Sequence, residues 1–150
     1  MRVVLVYPYF NEELDRSIFR YPPLGLGYLV SVVRSIGIEP QLLDCTFSRP
    51  GEAVKAIKRS KPDILGIYSM VTMNHHAIRI ARSVRSEVPL IVVGGPLPSL
   101  SPESFLDIFD IVVRHEGEET FLELVQKVRN NEDWHDIKGI AYRNKDGTII

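Results

Sequence analysis

Ser69 and Thr72 bring two hydroxyls beside the apolar Met70 and Val71, at the exit of the apolar run Asp63–Met70. Gly94-Gly95-Pro96 follows a second apolar run, Leu90–Val93. Adjacent glycines let a ligand approach the backbone closely and allow positive φ. Leucine at Gly95 is therefore expected to fill the approach path and block binding while leaving the fold largely intact. Glu116-Gly117-Glu118 precedes a helical pattern whose first backbone N–H groups can hold a polar or anionic group. Tyr9 lies in an aromatic, proline-rich stretch, Tyr7-Pro8-Tyr9-Phe10-Asn11. Each stretch has a plain structural reading too. The hydroxyls can satisfy loop backbone groups, the glycines can simply end a strand, and the glutamates suit a helix N-terminus.

Other chemistries find less footing. His75 and His76 are adjacent, so they project about 100° apart on a helix and form a poor metal pair. The lone Cys45 makes neither an intramolecular disulfide nor a cluster site, which takes several thiolates. Gly25-Leu26-Gly27 begins like a dinucleotide fingerprint, but it follows Pro22-Pro23 rather than a strand and lacks the third glycine. Its glycines are expected to serve close helix packing. The sequence has no Walker-type loop and no nucleophile elbow. The first and third strands end without the aspartate that a phospho-accepting receiver would want.

These residues need a scaffold, and the chain supplies one domain's worth. Its 150 residues are 45% hydrophobic and 25% charged, which suits a single packed core and excludes dominant disorder. Eighteen basic residues against 19 acidic ones, net charge -1, leave no basic footprint for nucleic acid. No apolar run is long enough to cross a bilayer, and Pro8 cuts the N-terminal run short of a signal peptide. A cytoplasmic protein is the default expectation.

Apolar strands are predicted at 2–7, 38–43, 63–70, 90–93 and 110–114. Helices are predicted between them at 24–36, 52–60, from Asn74 as N-cap to about 86, from Ser101 as N-cap, and at 118–130. Strands alternating with helices imply an α/β fold with a doubly wound, mainly parallel five-stranded sheet, Rossmann-like or flavodoxin-like. Ligands then bind beyond the strand carboxyl ends, where the stretches above all lie. The α/β domain is expected to span 1–130. Residues 131–150 read as a linker and the start of a C-terminal hairpin, with a first strand over 139–143 and a turn at Asn144-Lys145-Asp146-Gly147. With only Thr148-Ile149-Ile150 in the return strand, the chain is expected to be cut from something longer.

Taken in order, Tyr21-Pro22-Pro23-Leu24-Gly25-Leu26-Gly27, Asp63–Ser69, Val92-Val93-Gly94-Gly95-Pro96 and Asp110–Phe121 resemble the N-terminal cobalamin-binding domain of B12-dependent radical S-adenosylmethionine enzymes. The resemblance covers nearly the whole chain. It implies a flavodoxin-like domain that cradles cobalamin across the strand carboxyl ends. Tyr9, Ser69, Met70, Val71, Thr72, Gly94, Gly95, Pro96, Glu116, Gly117 and Glu118 would then contact the cofactor. It also implies a partner domain, outside these residues, that holds S-adenosylmethionine and a [4Fe-4S] cluster, with methyl transfer as the reaction. Two departures stand out. Many relatives carry histidine where this chain has Leu97. The aspartate-x-histidine-x-x-glycine loop that supplies a lower cobalt ligand in other cobalamin enzymes is replaced by Tyr7–Asn11. Two other readings stay open at this point: a degenerate domain of the same family that positions substrate or docks, and an unrelated nucleotide-binding sandwich.

Overall fold

The computed structural model describes residues 1–10 and 21–150. Asn11, at the end of the first predicted strand exit, lies outside them. In chain order the elements are β1 (Val3–Tyr7), α1 (Leu24–Arg34), β2 (Gln41–Asp44), α2 (Pro50–Ser60), β3 (Ile64–Tyr68) and α3 (Asn74–Val84). They continue with β4 (Leu90–Gly94), α4 (Pro96–Leu100), a 3-10 turn (Pro102–Ser104), β5 (Ile111–Val113), α5 (Glu118–Asn130) and β6 (Ile140–Tyr142).

The strands form one sheet in the order β2-β1-β3-β4-β5-β6. β1 to β5 run parallel, as the alternating pattern requires, and β6 pairs antiparallel with β5. Strand residues alternate between two cores. Val4, Val6, Leu65, Ile67, Ile91 and Val93 face α2 and α3, whereas Leu5, Ile64, Val92 and Ile111 face α1 and α5. Covering both faces explains why these strands read as continuous apolar runs rather than alternating ones. The strand order reverses between β1 and β3, which makes the carboxyl ends of those strands the natural ligand crevice.

The sheet has six strands rather than five. Gly139, at φ +85°, turns the chain in beside α5, and the Arg114 N–H donates to its carbonyl at 2.9 Å. Ile137, Ile140 and Tyr142 then join the α1/α5 core, with the Trp134 ring edge-on to Tyr142 at 5.4 Å. The predicted hairpin turn forms beyond it, with Asn144 N–H donating to the Thr148 carbonyl at 2.8 Å. β2 begins at Gln41 rather than Ile38, because Pro40 has no N–H to give the ladder. Asn74 is the first helical residue rather than the cap, and its side chain makes no cap hydrogen bond. Ser101 stands at the N-cap position of a short helix with Pro102 at its start, as expected, but its side chain makes no cap hydrogen bond. Its hydroxyl donates to Glu103 Oε1 at 2.7 Å, and Pro102–Ser104 make only a single 3-10 turn. Among the described residues no helix is long and apolar enough to cross a membrane.

Cys45 closes β2, its N–H donating to the Tyr7 carbonyl at 3.1 Å. Burial, and then the Asp44 carboxylate, push its thiol from 9.0 up to about 12. The thiol therefore stays protonated and unreactive. At pH 8, native protein is expected to leave a thiol-specific disulfide reagent unconsumed over minutes, and unfolding in urea to release one full equivalent. The linkage has a definite sign. Stability from the neutral thiol is complete below 9.0 and is lost as pH rises towards about 12.

Candidate functional site

Two rows of side chains cross the α1/α5 face of the sheet near its carboxyl edge. Pairing aligns Leu5 with Gly66, Gly66 with Val92, and Val92 with Ile111. One row nearer the edge, Tyr68 pairs with Gly94 and Gly94 with Val113. Each row thus has a glycine near its middle. A Cβ at Gly66 would stand 2.7 Å from Leu5 Cδ2 and 3.7 Å from the Phe121 ring. The two missing side chains cut a trough into an otherwise full apolar surface.

Helices α1 and α5 complete the walls. Gly25, Leu26 and Leu29 come from the first turns of α1, and Gly117, Glu118 and Phe121 from the start of α5. Gly117 allows the helices to close on the sheet, since a Cβ there would sit 3.1 Å from Val113 Cγ1. Across the mouth lie Ser99 and Leu100 of α4, with His115 and Glu116 of the loop after β5. The result is an open cleft of about 590 Å³ at the carboxyl edge. Its carboxylates are Glu116 and Glu118, and no lysine or arginine lines it among the described residues.

The mouth is stitched together by backbone geometry. Gly95 has φ +114°, and a Cβ there would overlap the Ser69 carbonyl oxygen and touch the Tyr68 ring at 3.1 Å. The Ser69 N–H donates to the Gly94 carbonyl at 2.8 Å, so the exits of β3 and β4 are locked side by side. His115 is left-handed, at φ +58°, and its N–H donates to Ser99 Oγ at 2.9 Å. That bond ties α4 to the β5 exit and holds a conformation that costs a non-glycine residue about 1 kcal/mol. Ser99→Ala is expected to destabilise the domain by only about 1 kcal/mol while speeding amide exchange at His115 roughly tenfold. Unchanged exchange at that amide would show that the bond does not hold the loop.

The family model described as B12 binding domain matches residues 15–125. The chain belongs to this family. Among curated proteins, the B12-binding domain is 34% identical over 153 residues to an uncharacterized methyltransferase, PH0819, of Pyrococcus horikoshii, covering 95% of this chain and 33% of that protein. It is 30% identical over 176 residues to a cytidylyl-2-hydroxyethylphosphonate methyltransferase of Streptomyces wedmorensis, covering 99% of this chain and 32% of that one. The chain thus spans about a third of the length of these relatives. Its fold is that of a segment of OxsB, a cobalamin-dependent S-adenosylmethionine radical enzyme solved with aqua-cobalamin and S-adenosylmethionine bound. There the TM-score is 0.86 at 23% identity, covering 99% of this chain and 21% of that one.

Of the residues singled out in the sequence, Gly94, Gly95, Pro96, Glu116, Gly117 and Glu118 line the cleft of the B12-binding domain. Ser69, Met70, Val71, Thr72 and Tyr9 do not. Ser69 is fully buried behind Gly94-Gly95, and its Oγ finds no hydrogen-bond partner among the described residues. Met70, Val71 and Thr72 form the turn above it, with Val71 exposed on the rim. The Tyr9 ring lies tilted 6.2 Å from that of Tyr7, which in turn meets Tyr68 at 5.5 Å.

Two expectations need correction. Gly95→Leu would not spare the fold, because the position is both left-handed and sterically closed on the Ser69 side. Gly25 and Gly27 do not serve close packing: nothing lies within 4 Å of a Cβ at either, and Gly25 opens the α1 wall of the cleft instead. Sequence reasoning missed Gly66, Leu29, Ser99 and His115. An isolated glycine inside an apolar strand signals a close approach, and Gly66 carried that signal.

Proposed function

We propose that this domain holds cobalamin over the carboxyl edge of its sheet, with the nucleotide tail in the cleft between the sheet and helices α1 and α5. The observation that carries this reading is the trough cut by Gly66 and Gly94 in a chain of the B12-binding family. The residues fit the group. Gly25, Gly66 and Gly94 keep the wall and floor low enough to admit a bulky aromatic tail. Glu116 and Glu118 accept hydrogen bonds from the amide side chains that rim a corrin ring. Ser69 Oγ, buried and unpartnered among the described residues, is a donor in reserve at the β3 exit. A nucleoside polyphosphate is a poorer fit, since two carboxylates and no lining cation would repel it.

Bound cobalamin supplies a cobalt centre able to carry a methyl group. The domain's own part would be to bind the tail, orient the ring and exclude water from the cleft. We infer further that the domain serves a radical S-adenosylmethionine enzyme, whose separate domain holds S-adenosylmethionine and a [4Fe-4S] cluster. The methyltransferase names of the two curated relatives support methyl transfer as the reaction.

Gel filtration after mixing with hydroxocobalamin tests the first proposal. A red protein fraction with a cobalamin spectrum near one equivalent is expected. A colourless fraction would leave the degenerate reading, and retention of a nucleotide in its place would overturn the cobalamin proposal.

A further inference from the structure

Polarity in the cleft changes sharply with depth. The floor is Leu5, Gly66, Val92 and Phe121, all buried and all without a polar side-chain atom. Their backbone groups are already used. β1 is paired on both sides by β2 and β3, β3 by β1 and β4, and β4 by β3 and β5. The Phe121 N–H donates to the Gly117 carbonyl at 2.7 Å. The polar side chains that line the cleft, Tyr68, Ser99, His115, Glu116 and Glu118, lie in the row nearer the carboxyl edge or at the mouth. Whatever enters deepest meets hydrocarbon alone and must bring no hydrogen-bonding demand of its own.

Resting on the corrinoid reading above, we propose that this floor selects the cofactor by the aromatic base that ends its tail. A benzimidazole or phenolic base is accepted, and a purine is refused. Adenine carries an amino group and several ring nitrogens, all hydrogen-bonded in water. The floor offers them no partner, and a buried unpaired polar group weakens binding by roughly tenfold to a hundredfold. Dimethylbenzimidazole presents methyl groups at the same depth, and a p-cresol base carries nothing polar on its far edge. Gly66 sets the depth, because a side chain there would collide with Leu5 Cδ2 at 2.7 Å and displace it from the floor.

Calorimetric titration of the purified chain with four corrinoids tests this: cobinamide, which has no tail, cobalamin, the p-cresolyl analogue and the adeninyl analogue. Cobalamin and the p-cresolyl form should bind within about threefold of one another, and the adeninyl form at least about tenfold more weakly. Cobinamide should also bind more weakly than cobalamin, having lost the buried aromatic group. Equal affinity for the adeninyl form and cobalamin would overturn the selection. Equal affinity for cobinamide and cobalamin would overturn the placing of the tail while leaving corrinoid binding intact. Binding of none of the four would overturn the corrinoid reading itself. Gly66→Ala should weaken cobalamin about tenfold while leaving cobinamide unchanged, and equal binding of cobalamin to both proteins would overturn the role of Gly66. If that variant does not fold, Leu29→Trp narrows the same space from the half-exposed α1 wall and must shift the same ratio.

Discussion

Phe121→Ala is expected to lower the unfolding free energy by about 4 kcal/mol. The ring is 2% exposed and packs in the core that joins α1 and α5 to the sheet. Its edge lies over Gly66, so it is at once the keystone of α5 and part of the cleft floor. Truncation removes the ring's burial energy and leaves a void that surrounding strands cannot fill, because their backbones are fixed in the ladder. Against a typical domain stability of about 5–15 kcal/mol, such a loss leaves little reserve. Urea denaturation followed by circular dichroism measures it. Phe121→Leu, which keeps most of the volume, should recover all but about 1 to 2 kcal/mol. A loss below about 1 kcal/mol for the alanine variant would mean that α5 is not held through this ring.

How far the sequence foretold this architecture depends on the range of the interaction concerned. The long parallel strands were legible because burial on two faces forces unbroken apolar runs. α5 was legible at both ends because Glu118 and Glu119 mark its first turn and Asn131 its left-handed stop. α4 was hidden because Pro96-Leu97-Pro98 looks like loop. A proline is compatible with a first helical turn, but nothing local reveals that Gly95 will launch one. β6 was legible as a strand over 139–143, but its place in the sheet was not, because its pairing with β5 is decided by the turn at Gly139.

The candidate site divides along the same line. Gly94-Gly95 and Glu116-Gly117-Glu118 could be seen because each is a local cluster at a strand exit. The trough could not. It depends on Leu5, Gly66 and Val92 falling in one register row, which distant strands set only on pairing. Ser99 and His115 were invisible for the same reason, since 16 positions separate the two partners of their bond.

At the mouth, Gly95→Ala is expected to destabilise the domain by about 3 kcal/mol, with a urea midpoint lower by roughly 1 to 2 M. Gly94→Ala, one residue earlier, should change stability by less than about 1 kcal/mol. The neighbours are chemically identical, so the contrast isolates geometry. Gly95 has φ +114°, where an L side chain is strained, and its Cβ would drive into the Ser69 carbonyl. That carbonyl cannot yield easily, because the Ser69 N–H is tied to the Gly94 carbonyl in the same turn. A Cβ on Gly94 would meet the Val113 carbonyl at 3.5 Å, an ordinary contact. The binding effects should run differently from the stability effects. A methyl on Gly94 enters the upper row of the trough and is expected to weaken cobalamin retention in a fully folded protein. In Gly95→Ala, retention is lost through the displaced β3 exit. Equal stability of the two variants would show that the left-handed turn is not what joins the β3 and β4 exits.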